Sequence, residues 1–108
     1  MASIVGYARR AARAFQRPLN VIWSARSERD LESIRAYIGQ VAPLAAQRFA
    51  LRLVAAVESL GDHPHRGRHI RGSVREFVAI PPYVIRYRVR ATFVEIVRIK
   101  HGAQQPDA

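Results

Sequence analysis

At 108 residues and 12.2 kDa the chain has the length of one domain, enough to bury roughly 60–70% of the surface its unfolded form exposes without staples. Eighteen Lys/Arg against eight Asp/Glu give a formal charge of +10, and every basic residue except Lys100 is an arginine; such a field draws polyanions or acidic proteins, although a GC-rich genome would produce the same arginine bias. The lack of cysteine excludes disulfides, thiolate metal sites and a cysteine nucleophile, no apolar run approaches the roughly 18 residues of a membrane span, and the chain reads as soluble and cytoplasmic.

Residues 1–19 stand apart. Arg9, Arg10, Arg13 and Arg17 occur there with no acid, and Pro18 closes the stretch. Ile4, Tyr7, Ala8, Ala11, Ala14 and Phe15 recur at helical spacing. Three readings stay open: a frayed basic arm, a short helix that covers the sheet or binds a partner, and residues added by an upstream start codon.

Asn20–Ser24 (NVIWS) is apolar, β-branched and aromatic, which predicts a strand, and Ser27 with Asp30 three residues on predicts the N-cap of a helix that follows directly. Leu31, Ile34, Tyr37, Ile38 and Val41 mark its apolar face, while Glu28, Arg29, Glu32 and Arg35 pair elsewhere on its surface. The helix is expected to end near Val41. Pro43 suits the first turn of a second helix, whose apolar stripe is Ala46, Phe49, Leu53, Ala56, Val57 and Leu60, and Gly61, Asp62 and Pro64 stop it. So short a connection predicts an antiparallel helical hairpin that needs a sheet to cover its shared face.

The stretch 63–72 (HPHRGRHIRG) reads as a polar loop. Three strands follow at about Val74–Ile80, Tyr83–Val89 and Thr92–Ile99, joined by Pro81-Pro82 and by Arg90-Ala91. The order β-α-α-β-β-β is an α+β fold, with the hairpin packed on one face of a mainly antiparallel sheet. Where the first strand pairs is left open.

His63, His65 and His69 are spaced closely enough to consider zinc, but as H-x-H-x3-H in a loop with no cysteine nearby and Arg66 and Arg68 between them they make a poor metal site, and they read as a solvated or polyanion-contacting loop; no metal and no cofactor are expected. On the second hairpin strand Arg86, Arg88 and Arg90 share one face by period two, and Tyr83, Ile85, Tyr87 and Val89 share the other. The last strand is less regular: Arg98 and Lys100 alternate in phase with Val94 and Ile96, and Phe93, Val97 and Ile99 with Glu95. A basic face for an acidic peptide or nucleic acid competes here with a merely solvated one. No serine lies in a G-x-S-x-G elbow, and there is no phosphate-binding glycine loop. The remaining catalytic option is acid–base chemistry by His101, with Arg75 and Arg86 holding phosphate charge.

Ser24 followed by Asp30-Leu31, Ile34 and Tyr37-Ile38, then PLAAQRFALRLVAAVESLGDHPHRGR (43–68), VREF (74–77), YVIRYRV (83–89) and VRIKHGAQ (97–104), resembles the ParE branch of the ParE/RelE toxin superfamily, the plasmid stabilisation proteins. The resemblance spans residues 20–105 and leaves 1–19 outside. It implies a toxin of a type II toxin–antitoxin pair, wrapped by the C-terminal segment of a DNA-binding antitoxin. For the ParE branch it implies inhibition of DNA gyrase by binding; for the RelE branch, cleavage of mRNA on the ribosome. The ribonucleases carry Lys, Arg and Tyr groups where this chain has Val78-Ala79-Ile80 and His101-Gly102-Ala103-Gln104-Gln105, which turns the expectation toward a non-catalytic inhibitor. His101, Arg75 and Arg86 form the catalytic set of the alternative. Arg75, Arg86, Arg88, Arg98, Lys100 and His101 are the expected partner-binding residues.

Overall fold

The computed structural model describes residues 18–102. Strand β1 (Asn20–Trp23) leads into helix α1 (Ala25–Gly39) and helix α2 (Pro43–Glu58), which tightens into a 3₁₀ turn at Ser59–Gly61; strands β2 (Arg68–Arg71), β3 (Val74–Ile80), β4 (Tyr83–Val89) and β5 (Phe93–His101) complete the chain. The arm expected over 1–19 lies outside the described residues up to Arg17, as do Ala103 to Gln105.

The fold is α+β as expected, with a larger sheet than the three-stranded meander. Its five strands run in the order β1-β5-β4-β3-β2. β2 to β5 are antiparallel neighbours, and β1 closes the other edge by pairing in parallel with β5, from Asn20 beside Phe93 to Trp23 beside Ile96. The expected polar loop at 63–72 therefore contains a strand. Arg68–Arg71 alternates no apolar with polar residues because it is an edge strand exposed along its whole length, so hydrophobic periodicity carries no signal there. Gly72, with φ of 51°, makes the tight turn back into β3.

Helix α1 starts one turn earlier than expected. Ser24, not Ser27, is the N-cap, and its Oγ accepts from the Ser27 backbone N–H at 3.0 Å. Ser27 is fully buried in the first turn, its hydroxyl donating to the Ser24 carbonyl at 2.8 Å. The Ser24 hydroxyl also donates to the Val97 carbonyl at 3.1 Å, and Asp30 Oδ2 accepts from the Ile99 backbone N–H at 3.0 Å. Past Trp23, then, α1 takes over from β1 in satisfying the β5 edge. The expected apolar face is narrower in the fold: Leu31, Ile34 and Ile38 pack on the core, while Tyr37 and Val41 are exposed. Val41 lies beyond the helix end at Gly39, in the turn before Pro43, and Tyr37, next to the core-packed Ile38, lies off the sheet-facing stripe.

Helix α2 begins on Pro43 as expected and buries Ala46, Phe49, Leu53 and Val57, with Leu60 beyond. Against them lie Ile85 and Tyr87 of β4 and Val94, Ile96 and Ile99 of β5, all buried. Val94 and Ile96 share a face with Ile99 in spite of the odd spacing, because the register slips between Arg86 and Tyr87: Arg86 faces Arg98 while Tyr87 faces Ile96. Val97 is the extra residue of a β-bulge, and it reverses the inward and outward phase of everything after it.

Candidate functional site

Helices cover one face of the sheet, and cross-strand pairing sorts the polar residues between the two faces. On the uncovered face one transverse row reads Arg68, Glu76, Arg86, Arg98 across β2 to β5, the next reads Arg71, Val74, Arg88, Glu95, and a third reads Val78, Val84, Lys100. Expected partner-binding residues Arg86, Arg88, Arg98 and Lys100 are brought together there. The bulge at Val97 is what turns Arg98 and Lys100 to this side. Arg68 and Arg71 join them from β2 and were missed because that strand reads as a loop; spaced by three, they reach one face only through the register shift between His69 and Arg71.

Acids hold this surface in shape. Glu76 lies between two guanidiniums: its Oε2 accepts from Arg86 Nε at 2.9 Å and Nη2 at 2.7 Å, and Arg68 Nη2 stands 3.8 Å from its Oε1. Asp30 reaches from α1 so that its Oδ2 accepts from Arg98 Nε at 2.9 Å. Glu95 stands opposite Arg88 and 3.9 Å from Arg90 Nη2. Lys100 is buried, at 7% exposure, whereas Arg68, Arg71 and Arg88 are exposed. Cations outnumber acids on this face, and carboxylates clamp the half-buried Arg86 and Arg98 guanidiniums in fixed directions.

Arg75 and His101 occupy the opposite, helix-covered side. Arg75 is level with Tyr87 on β4, and His101 with Tyr83. The His101 ring meets Tyr83 edge-on at 5.5 Å between centroids, and Tyr83 in turn meets Phe49 at 5.0 Å. Tyr83 and Tyr87 are four residues apart on one strand, so Arg75 lies about 13 Å along the strand from the level of His101. Arg86 points through the other face. The three residues of the alternative catalytic set do not converge.

Arg75 instead fixes a loop. Its Nη1 donates to the Gly67 carbonyl at 2.8 Å and to that of His65 at 3.5 Å. The fully buried Tyr87 hydroxyl donates to the Pro64 carbonyl at 2.8 Å and accepts from the Gly67 N–H at 2.8 Å. Burial pushes the Tyr87 phenol above its ordinary value, partly opposed by the Gly67 N–H and the nearby Arg75 and Arg66 charges. A Cβ on Gly67 would stand 2.6 Å from that hydroxyl and 2.7 Å from the Glu76 carbonyl, so only glycine fits. His63 and His65 are held outward beside Asp62 and Arg66, and His69 Nε2 donates to the Gly72 carbonyl at 2.8 Å. Arg66 reaches back over the Phe77 ring, 5.4 Å from its centroid.

A second surface lies on the helical hairpin. Leu44, Leu51 and Val54 of α2 are exposed, and a groove of about 450 Å³ is lined by Leu51 and Val54 with Arg35, Pro43, Gln47 and Ala50.

The family described as the ParE toxin of the type II toxin–antitoxin system parDE matches residues 21–106. The chain belongs to the ParE toxin family. Among curated relatives of this ParE-family toxin, Toxin RelE2 of Caulobacter vibrioides is 55% identical over 84 residues, covering 78% of this chain and 96% of the relative. Toxin RelE1 of the same organism is 38% identical over 89 residues, covering 79% and 95%. A solved chain of the chromosomal ParDE system from P. aeruginosa shares the fold with a TM-score of 0.69 at 21% identity, covering 78% of this chain and 96% of that one. Membership of a type II toxin–antitoxin family implies a cognate antitoxin. Among the described residues no helix is long and apolar enough to cross a membrane.

Proposed function

We propose that this toxin acts in the cytoplasm by binding DNA gyrase rather than by catalysis, and that its antitoxin neutralises it by laying an acidic segment across the uncovered face of the sheet. Residues 20–105 form the toxin domain, and 1–19 are a separate basic arm. Arg86, Arg88, Arg98 and Lys100 carry the antitoxin contact, extended by Arg68 and Arg71, and Arg75 contributes by holding the loop at 63–67. A segment without structure of its own gains most from such a surface, because preset guanidiniums fix the direction of each carboxylate as it orders.

The observation that supports binding over chemistry is the separation of His101, Arg75 and Arg86. Phosphodiester cleavage needs a proton acceptor, a proton donor and a cation about one phosphate. Here Arg86 lies across the sheet from the other two, and Arg75 is spent on loop carbonyls.

His101→Ala tests the choice. Expressed without antitoxin, the variant is expected to stop growth as the parent does. Loss of toxicity, with folding and antitoxin binding intact, would instead favour ribosome-dependent mRNA cleavage with His101 as the acid–base group.

A further inference from the structure

One edge of the molecule carries a run of cations that the antitoxin contact uses only in part. From His63 to Arg75 the sequence holds four arginines and three histidines and no acid, and the fold gathers them into the loop at 63–67, the outermost strand β2 and the Gly72 turn. His63, His65, Arg66, Arg68, His69 and Arg71 are exposed. Side chains leave a strand toward alternate faces, and this edge uses both. Arg68 and Arg71 turn to the uncovered face, while Arg66 lies over Phe77, which packs against the core on the helix-covered side. Cations therefore flank the edge on two sides.

The edge is held stiffly for a surface so exposed. The buried Tyr87 hydroxyl bridges the Pro64 carbonyl and the Gly67 N–H, and Arg75 holds the Gly67 carbonyl. Arg66 is fixed from two directions: its Nη1 donates to Ser59 Oγ at 3.0 Å, and its guanidinium stacks on Phe77. Its other N–H groups remain for an outside acceptor. Neutralisation is slight here, with Asp62 the acid that borders the run in sequence. Among the described residues Arg66 and Arg71 have no carboxylate at ion-pair distance, and Arg68 stands 3.8 Å from a Glu76 that Arg86 already binds.

The composition of the edge selects among anionic partners. Ile70 is the one exposed large apolar residue of 63–75, so the aromatic anchors that hold protein partners are missing. Single strands are held by stacking bases on aromatic side chains, yet among the described residues the only exposed Phe, Tyr or Trp is Tyr37, on α1. A duplex needs neither, because phosphates line both walls of its grooves and cations placed against them supply the affinity. The major groove of B-DNA, about 12 Å wide, admits a two-stranded β-ribbon, the form that β2 and β3 take around Gly72. That of duplex RNA is too narrow for side chains. At about 3.3 Å per residue β2 is about 13 Å long, the span of about four nucleotides along one strand. We infer that the 63–72 edge binds the phosphate backbone of duplex DNA without reading its sequence, with Arg66, Arg68 and Arg71 supplying charge and His63 and His65 supplying ring N–H donors. The site is independent of the gyrase and antitoxin reading. An antitoxin segment that covers Arg68 and Arg71 takes two of the three guanidiniums away from the DNA.

Fluorescence anisotropy of a labelled, mixed-sequence DNA duplex, titrated with the full chain freed of antitoxin, measures this. For the parent, the logarithm of affinity should fall linearly with the logarithm of salt concentration. Arg66→Gln with Arg68→Gln and Arg71→Gln should flatten that slope by about 2.7, about 0.9 for each guanidinium removed, and weaken binding at low salt about tenfold or more. The control Arg29→Gln with Arg48→Gln and Arg52→Gln removes the same charge from exposed helix positions and should change the slope less than half as much. Equal losses from the two sets would overturn the inference, since binding would then follow net charge alone. So would single-stranded DNA or duplex RNA bound as tightly as the DNA duplex, or a poly-glutamate peptide bound more tightly, which would make the edge a protein contact. A second measurement needs no substitution: when DNA is added to the parent chain, amide hydrogen exchange should slow across residues 65–72. Protection confined to other segments contradicts the site.

Discussion

Tyr87 is the residue on which the most structure depends, because one phenol closes both ends of the loop at 63–67 from inside the core. Tyr87→Phe leaves the Pro64 carbonyl and the Gly67 N–H without their partner, and a loss of about 1–3 kcal/mol is expected in urea unfolding. The same phenol sets an alkaline limit. Its folded value is raised, so the neutral form is the one the fold favours; its contribution is whole below the ordinary tyrosine value and is lost as pH rises through the folded one. Stability is expected to fall on that alkaline side in the parent and less steeply in Tyr87→Phe, as followed by thermal unfolding across the range. Gly67→Ala meets the Tyr87 hydroxyl and the Glu76 carbonyl, and the crowding is expected to cost about 1–3 kcal/mol. None of this was legible in the sequence. Tyr87 appears there only as a core-facing aromatic, and its hydroxyl partners are backbone groups 20 and 23 residues away in the chain.

At the scale of elements, the β1 to α1 junction and the β5 bulge work together. Ser24 caps α1 and also bonds the Val97 carbonyl at the bulge, so Ser24→Ala removes two functions at once. Its expected cost is about 1–2 kcal/mol, at the upper end for an N-cap, measurable as a lower urea midpoint with unchanged slope. The helical hairpin, the Pro43 start and four of the five strands were readable because apolar pattern and Pro/Gly punctuation agree there. Ser24 and Ser27 are both fit to cap, and only burial of Ser27 decides between them. β2 was invisible for the opposite reason: an edge strand exposed on all four residues has no apolar period to read. The mixed phase of β5 was visible as an irregularity, and one inserted residue, Val97, resolves it.

For the whole molecule, the sheet divides its charge between two faces, and the proposed function rests on that division. The sequence separated Arg86, Arg88 and Arg90 from the core row by period alone, but the side taken by Arg98 and Lys100 follows from the bulge, and the presence of Arg68 and Arg71 from β2. If the acidic antitoxin segment lies on this face, Arg71→Gln with Arg88→Gln should slow antitoxin association and flatten its salt dependence while leaving thermal stability nearly unchanged; association kinetics measured at several ionic strengths report this. The opposite placement of Arg86 from Arg75 and His101 supports the proposed inhibition by binding, and the most direct measurement sets two reactions side by side. Purified toxin freed of antitoxin is added to gyrase supercoiling and to translating ribosomes. Supercoiling should stop while ribosome-bound mRNA stays intact. Cut mRNA with gyrase unaffected would contradict inhibition by binding.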